Sequence, residues 1–222
     1  MKDFSKLYDD AYFANRRSND LRRMKAFGQE KSFLKKYISL DGRVCDVGCS
    51  TGEFLNAIEW TGRRYGMEIS EEAKELATQS GIAFDKDIFT EKDYFDTVIF
   101  RGTIQHLPDP FLYIQKAYMS LKKGGHIVFL ATPNANSIVY KIWNTLPALN
   151  PRYNFYIPSD VTLKNVLENY DFCILETEKP YIFSPYARPF FDHLKFLSCL
   201  VLHQKPTFAF WGNMMNMIAS KD

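Results

Sequence analysis

The segment that most constrains this chain is Val-Cys-Asp-Val-Gly-Cys-Ser-Thr-Gly-Glu-Phe-Leu, starting at Val44. An apolar run over residues 43–47 stops at Gly48, Gly52 follows four positions later, and residues 53–60 take up helical spacing. The reading is a buried strand, a tight glycine turn and a helix. In an α/β sheet, ligands sit at the carboxyl ends of strands, where this turn would lie, and Gly48 lets a ligand approach the backbone closely. Backbone N–H groups of residues 49–52 are expected to face its polar groups. The spacing is not G-x-G-x-x-G and no Lys-Ser/Thr pair closes the turn, so it matches neither the dinucleotide fingerprint nor a P-loop. The acid at Asp46 would repel a pyrophosphate and suits a cationic ammonium or sulfonium.

Around this unit, apolar runs alternate with amphipathic segments, as in a sheet covered by helices. Asn19 or Asp20 can cap a helix through about Tyr37. A second strand at 64–69 leads through the N-cap Ser70 into a helix that Gly81 closes. Short third and longer fourth strands follow at 82–84 and 95–100. A helix at 110–121 is expected to be ended by Gly124 and Gly125, and 126–131 is a fifth strand. Beyond Pro133 the order loosens. Ser159 caps a helix to Tyr170, residues 172–177 alternate as a strand, and 208–219 read as a last strand. Residues 181–202 are too long for a turn and form an inserted helical or lid-like segment. Its apolar density around Phe196 is read as a buried helix rather than one lying on a membrane.

With 222 residues, 46% of them hydrophobic, the chain has the content of one domain with a real core. A formal charge of +2 gives no large field, so nucleic acid is not expected as a partner. The four cysteines contain no CxxC pair and are read as reduced thiols, which points to the cytoplasm. The polar N-terminus does not resemble a signal peptide, and no apolar run approaches the roughly 20 residues of a membrane span. No metal site is suggested.

DVGCSTGEF closely resembles the first motif of class I S-adenosylmethionine (SAM)-dependent methyltransferases, in the branch that modifies small molecules and sugars. The resemblance covers roughly residues 30–135, and four motifs occur in the family's order. It implies an α/β, Rossmann-like, seven-stranded mixed sheet, mostly parallel, with one antiparallel strand near the edge and helices on both faces. The whole chain, 1–222, would be one such domain, with an N-terminal helical segment at 1–40 and a variable acceptor-pocket or lid region at 150–207. By the resemblance, Asp46, Gly48, Cys49 and Ser50 surround the methionine part of SAM. Glu68 takes the ribose hydroxyls, as a carboxylate with two acceptor oxygens can, and Ile69 lies against the adenine. Asp87, with Ile88, matches the adenine site, although Asp85 leaves the register open. FDTVIFRGTIQHLPDP matches the fourth motif and places Arg101, Gly102, Gln105 and His106 near the sulfur. Relatives often carry a small polar residue and a Glu where this chain has Arg101 and Gln105.

Methyl transfer from a sulfonium is a displacement that needs an aligned acceptor and, for a hydroxyl, a base. His106 is the candidate base, since an imidazole titrates near neutrality. Acceptor choice is expected to lie with Tyr8, Tyr12 and Phe13 and with residues 150–189, where Tyr153, Tyr156, Tyr181 and Tyr186 offer flat faces for a sugar or small ring. The expected activity is methylation of a small polar acceptor, a hydroxyl of a sugar or glycan precursor, releasing S-adenosylhomocysteine, by a monomer or homodimer. N-methylation of nucleic acid or protein and a catalytically inactive SAM-binding regulator are the alternatives. The first lacks the Asn/Asp-Pro-Pro-aromatic pattern that holds an amine, and a dehydrogenase lacks its glycine spacing.

Overall fold

The computed structural model describes residues 20–147, 149–150 and 152–222; Tyr8, Tyr12 and Phe13 lie outside them. In chain order the elements are α1 (Asp20–Leu34), β1 (Val44–Val47), α2 (Glu53–Ala57), β2 (Arg64–Met67), α3 (Glu71–Gln79), β3 (Phe95–Arg101), a 3₁₀ turn (Ile104–His106), α4 (Pro110–Ser120), β4 (Leu121–Pro133), α5 (Ile138–Trp143), α6 (Asp160–Asn169), β5 (Phe172–Glu178), α7 (Pro189–Leu202) and β6 (Met214–Lys221).

The strands form one sheet in the order β2-β1-β3-β4-β6-β5. β1, β2, β3 and β4 are mutually parallel, and β6 runs antiparallel to both of its neighbours, β4 and β5. Side chains alternate across a strand, and the two faces meet two separate cores. Val98, Phe100, Ile127 and Phe129 point to one side, with Ile114 and Ala117 of α4 and Leu163 and Leu167 of α6. Ile99, Val128 and Leu130 point to the other, with Phe27, Phe33 and Leu34 of α1, Phe54 and Leu55 of α2 and Ala77 of α3. Because both faces are covered, the central strands read in sequence as unbroken apolar runs.

The sheet has six strands where seven were expected. Residues 82–84 reach only a single parallel bridge, Tyr65 to Ala83, held by Gly66 N–H to the Ala83 carbonyl and Ala83 N–H to the Arg64 carbonyl, each 2.9 Å. Gly81 with φ +81° on one side and Asp85-Lys86-Asp87 on the other leave too few apolar residues to continue it. Gly124 and Gly125 do not end α4, which stops at Ser120; they sit in a bulge where the register of β4 on β3 jumps from Leu121 to His126. The last strand begins at Met214, since Gly212 at φ +72° turns the chain and Phe210 is buried in a satellite core with Val139, Tyr181 and Phe196. α7 is not the buried helix expected. It buries Asp192 and Phe196 and leaves most of its apolar side chains in solvent.

Candidate functional site

The carboxyl ends of β1, β2 and β3 open onto a cavity of about 430 Å³. Asp46 reaches it from β1, Gly66 and Met67 from β2 and Arg101 from the tip of β3; the rest of the wall comes from the loops that follow, from α1, α2, α3 and α4, and from Tyr153 and Phe155 beyond α5. Gly48 (φ +78°), Ser50 (φ 51°) and Gly52 (φ +75°) all take left-handed backbone, which folds the turn back over β1. A Cβ on Gly48 would meet the Thr103 side chain at 2.6 Å, and one on Gly66 would meet Cys49 Sγ at 2.5 Å, so both glycines keep the cavity's inner wall clear.

Of the amides expected to cradle a ligand, those of residues 49, 50 and 52 are engaged within the protein. Gly48 and Cys49 N–H both donate to the Met67 carbonyl (2.8 and 3.1 Å), Gly52 N–H donates to the Cys49 carbonyl (3.0 Å), and Ser50 N–H donates to Glu68 Oε2 (3.0 Å). With those donors engaged within the turn and at the end of β2, the cavity's polar lining is supplied largely by side chains, among them the carboxylates of Asp46, Glu53, Glu68 and Asp87.

Asp46 carries the most unusual of these. It is 2% exposed, and its Oδ1 is buried without a hydrogen-bond partner. Burial, offset by Arg101 and reinforced by Glu68 and Glu30, pushes its pKa up to about 7. A carboxyl in that state is costly to ionise until a donor or cation arrives. Glu68 is held differently. Oε1 accepts Ile69 N–H (2.8 Å) and Ser70 N–H (3.0 Å) and Oε2 accepts Ser50 N–H. Those bonds fix the carboxylate at the end of β2 and occupy three of its roughly four acceptor positions. Ser70 also caps α3 through Ala73 N–H.

Asp87 borders the cavity and Asp85 does not; Asp87 Oδ1 accepts the N–H groups of Phe89 (2.8 Å) and Thr90 (2.9 Å). Ile69 stands at the cavity wall with half its surface exposed, whereas Ile88 is buried in the core beside α4 and does not reach it. Cys49 lines the cavity as a thiol whose pKa burial drives upward, so it stays protonated and is no nucleophile.

Arg101 is explained by a residue far away in sequence. Its guanidinium meets the buried Glu30 of α1 through two bonds, Nε to Oε2 at 2.7 Å and an Nη to Oε1 at 3.1 Å, and its Cζ lies 4.5 Å from the Phe27 ring centroid. Burial raises the pKa of Glu30 while Arg101 opposes the rise. The pair clasps α1 to the end of β3 and brings Arg23, also on α1, to the cavity wall, where it bonds Glu53 at 2.6 Å. The third cation on the wall, Lys74, is paired with Glu71 at 2.6 Å. Among the described residues, each Arg or Lys lining the cavity therefore has an acidic partner.

His106 ends the 3₁₀ turn after β3 and faces the cavity. Its Nδ1 lies 2.7 Å from the Tyr153 carbonyl oxygen. A carbonyl only accepts, so Nδ1 carries the hydrogen and Nε2 keeps its lone pair in the neutral ring. Gln105 is buried and outside the cavity wall; its Nε2 donates to the Gly102 carbonyl (2.9 Å) and lies 3.3 Å from His106 Nε2. The Gln105 carbonyl accepts Phe155 N–H at 2.8 Å, which ties the 150s loop over the turn. Of the aromatic residues expected to meet an acceptor, Tyr153 lines the cavity; Tyr156 packs on Phe111, Tyr181 is buried against Asp192, and Tyr186 is exposed elsewhere. Phe155, Tyr113, Thr103, Arg23 and Glu30 contribute without having been picked out in the sequence. Among the described residues no cluster of His, Cys, Asp or Glu could hold a metal ion, and no helix is long and apolar enough to cross a membrane.

A profile of the family described as "Methyltransferase domain" matches residues 15–177. A ubiquinone biosynthesis O-methyltransferase of Thiobacillus denitrificans is 31% identical over 110 residues, 44% of this chain and 47% of that protein. The chain thus spans about half the length of the curated relatives it matches. Among solved structures, a SAM-dependent methyltransferase from Thermotoga maritima superposes with a TM-score of 0.66 at 19% identity, covering 99% of this chain and 98% of that one. The magnesium protoporphyrin IX methyltransferase of Synechocystis, solved with S-adenosylhomocysteine bound, superposes at 0.65 and 15% identity, covering 98% of each chain. At these identities the superpositions speak for the fold.

Proposed function

We propose that this chain, which belongs to the methyltransferase-domain family of SAM-dependent enzymes, methylates a hydroxyl of a small polar acceptor such as a sugar or glycan precursor. The observation that carries the reading is Asp46: a buried carboxyl with an unpartnered oxygen, in a cavity at the strand ends, with no basic partner of its own. Such a group fits the ammonium and sulfonium of SAM and fits no phosphate.

When bound, SAM supplies an electrophilic methyl group on a cationic sulfur. Asp46 would hold the methionine end. Gly48, Cys49 and Ser50 would shape the wall around it, and Gly102 would let the chain pass close beneath. Glu68 would accept from the ribose diol through its remaining position on Oε2, Ile69 would cover an adenine face, and Asp87 would accept from the exocyclic amine. Arg101, spread over Phe27 and paired with Glu30, keeps α1 closed over the site, while Gln105 braces the turn that carries His106. His106 Nε2, left unprotonated in the neutral ring because Nδ1 donates to the Tyr153 carbonyl, lies 3.3 Å from Gln105 Nε2 and would exchange that neighbour for the acceptor hydroxyl, taking its proton as the oxygen gains the methyl group. Tyr153 and Phe155 present aromatic faces on which a sugar ring can stack. The curated relatives are named O-methyltransferases, which favours oxygen over nitrogen as the acceptor atom. The four cysteines are free thiols, in keeping with a reducing compartment such as the cytoplasm.

The test is calorimetry with SAM and with NAD, followed by S-adenosylhomocysteine release against panels of sugars, phenols and amines. SAM binding with turnover on a hydroxyl compound is expected. NAD binding without SAM binding, or turnover confined to amines, would overturn the proposal.

A further inference from the structure

α7 presents an apolar face that none of the described residues covers. Phe190, Leu194, Leu197 and Val201 recur at helical spacing and are 72%, 52%, 59% and 78% exposed. Phe191 and Leu202 flank this stripe, and Ile182 and Phe183 lie exposed near the helix's first turn. The opposite side seats the helix firmly. Phe196 stacks on Phe210 with centroids 4.3 Å apart and meets Trp143 edge-on, and Asp192 accepts from the Tyr181 hydroxyl (3.1 Å) and from Arg188 N–H (2.6 Å). The outward stripe is therefore a fixed surface on a packed helix.

Its charge pattern selects the occupant. Residues 180–210 contain three Lys/Arg residues, Arg188, Lys195 and Lys205, all exposed, and one acid. That acid, Asp192, is buried on the inward side. An aliphatic and aromatic strip on a segment whose exposed Lys, Arg, Asp and Glu residues are all basic complements an acyl layer rimmed by anionic headgroups. We infer that α7 is an interfacial helix by which the protein docks reversibly on an anionic phospholipid bilayer, with Phe190, Leu194, Leu197 and Val201 entering the headgroup boundary and Arg188, Lys195 and Lys205 lying against lipid phosphates. No residue of α7 lines the cavity, so docking and ligand binding can be measured separately.

Flotation of the full chain tests this with vesicles of phosphatidylcholine alone and of phosphatidylcholine with phosphatidylglycerol. The wild type should float with the anionic vesicles, less at high salt, and weakly with the neutral ones. Leu194→Glu with Leu197→Glu should abolish flotation. Lys195→Gln with Lys205→Gln should weaken it by roughly 25-fold, about fivefold per charge, and flatten the salt dependence. Thermal midpoints and SAM binding close to wild type would show both double variants folded. No flotation of the wild type, or flotation that neither variant changes, overturns the inference. So does a stable dimer in sedimentation that the double Glu variant dissociates, because the face would then belong to a second copy.

Discussion

Asp46→Asn should make the ligand-free protein more stable and a poorer SAM binder, and the two effects share one cause. An unperturbed Asp titrates at 3.8 and Asp46 in the folded chain at about 7. At about 1.4 kcal/mol per tenfold in proton affinity, keeping it ionised costs the folded state up to ~4 kcal/mol. Between those values the folded state holds a proton that the unfolded chain has lost, so this contribution to stability is greatest on the acid side. It declines as pH rises and levels off above about 7. Asn has no such titration. The stability advantage of the variant should therefore widen by roughly 2–3 kcal/mol between about pH 5 and about pH 8, less whatever the Asn amide forfeits by finding no partner. Urea unfolding of both proteins at the two pH values measures this directly. Calorimetry on the same samples should show SAM affinity reduced about 10- to 100-fold near pH 8, the loss expected when a charged hydrogen-bond partner is removed. An advantage that does not change with pH, or a less stable variant at the higher pH, would refute the reading of Asp46 as a strained carboxyl awaiting a cation.

His106→Ala should lower turnover about 100-fold or more while sparing SAM affinity, as loss of a general base does; unchanged turnover in a steady-state assay would remove His106 from the chemistry. Glu30→Gln leaves Arg101 beside the aromatic rings without its buried counter-charge, and denaturant unfolding should show a loss of about 3 kcal/mol, with no loss if the clasp is incidental. Gly48→Ala forces a Cβ onto Thr103 at a positive φ; SAM binding should fall at least tenfold and the thermal midpoint should drop, both readable in one ligand-shift melt.

Much of the fold was legible because its signals are local. The 44–55 unit announces itself through a change of period at two glycines, and β1, β3 and β4 are apolar on both faces, so their runs stand out without any knowledge of partners. Ser70 and Ser159 were readable as caps for the same reason, and the structure shows each accepting a backbone N–H at the start of its helix. The misreadings concern pairings. Whether 82–84 becomes a strand depends on how much edge β2 offers, and whether α7 is buried depends on what lies above it, which its own spacing does not say. The Glu30–Arg101 clasp joins residues 71 positions apart, and the choice of His106 tautomer rests on a carbonyl 47 positions away. The motif located the turn at 48–52, but the N–H groups of Gly48, Cys49 and Ser50 are spent on Met67 and Glu68 because the end of β2 lies beside it, a fact of tertiary geometry.

The most direct test is a structure solved with S-adenosylhomocysteine. The methionine ammonium should lie within hydrogen-bond reach of Asp46 Oδ1 and the ribose at the Glu68 carboxylate, inside the cavity between the ends of β1 and β2. A nucleoside bound outside that cavity, or inside it with Asp46 still unpartnered, would contradict the account.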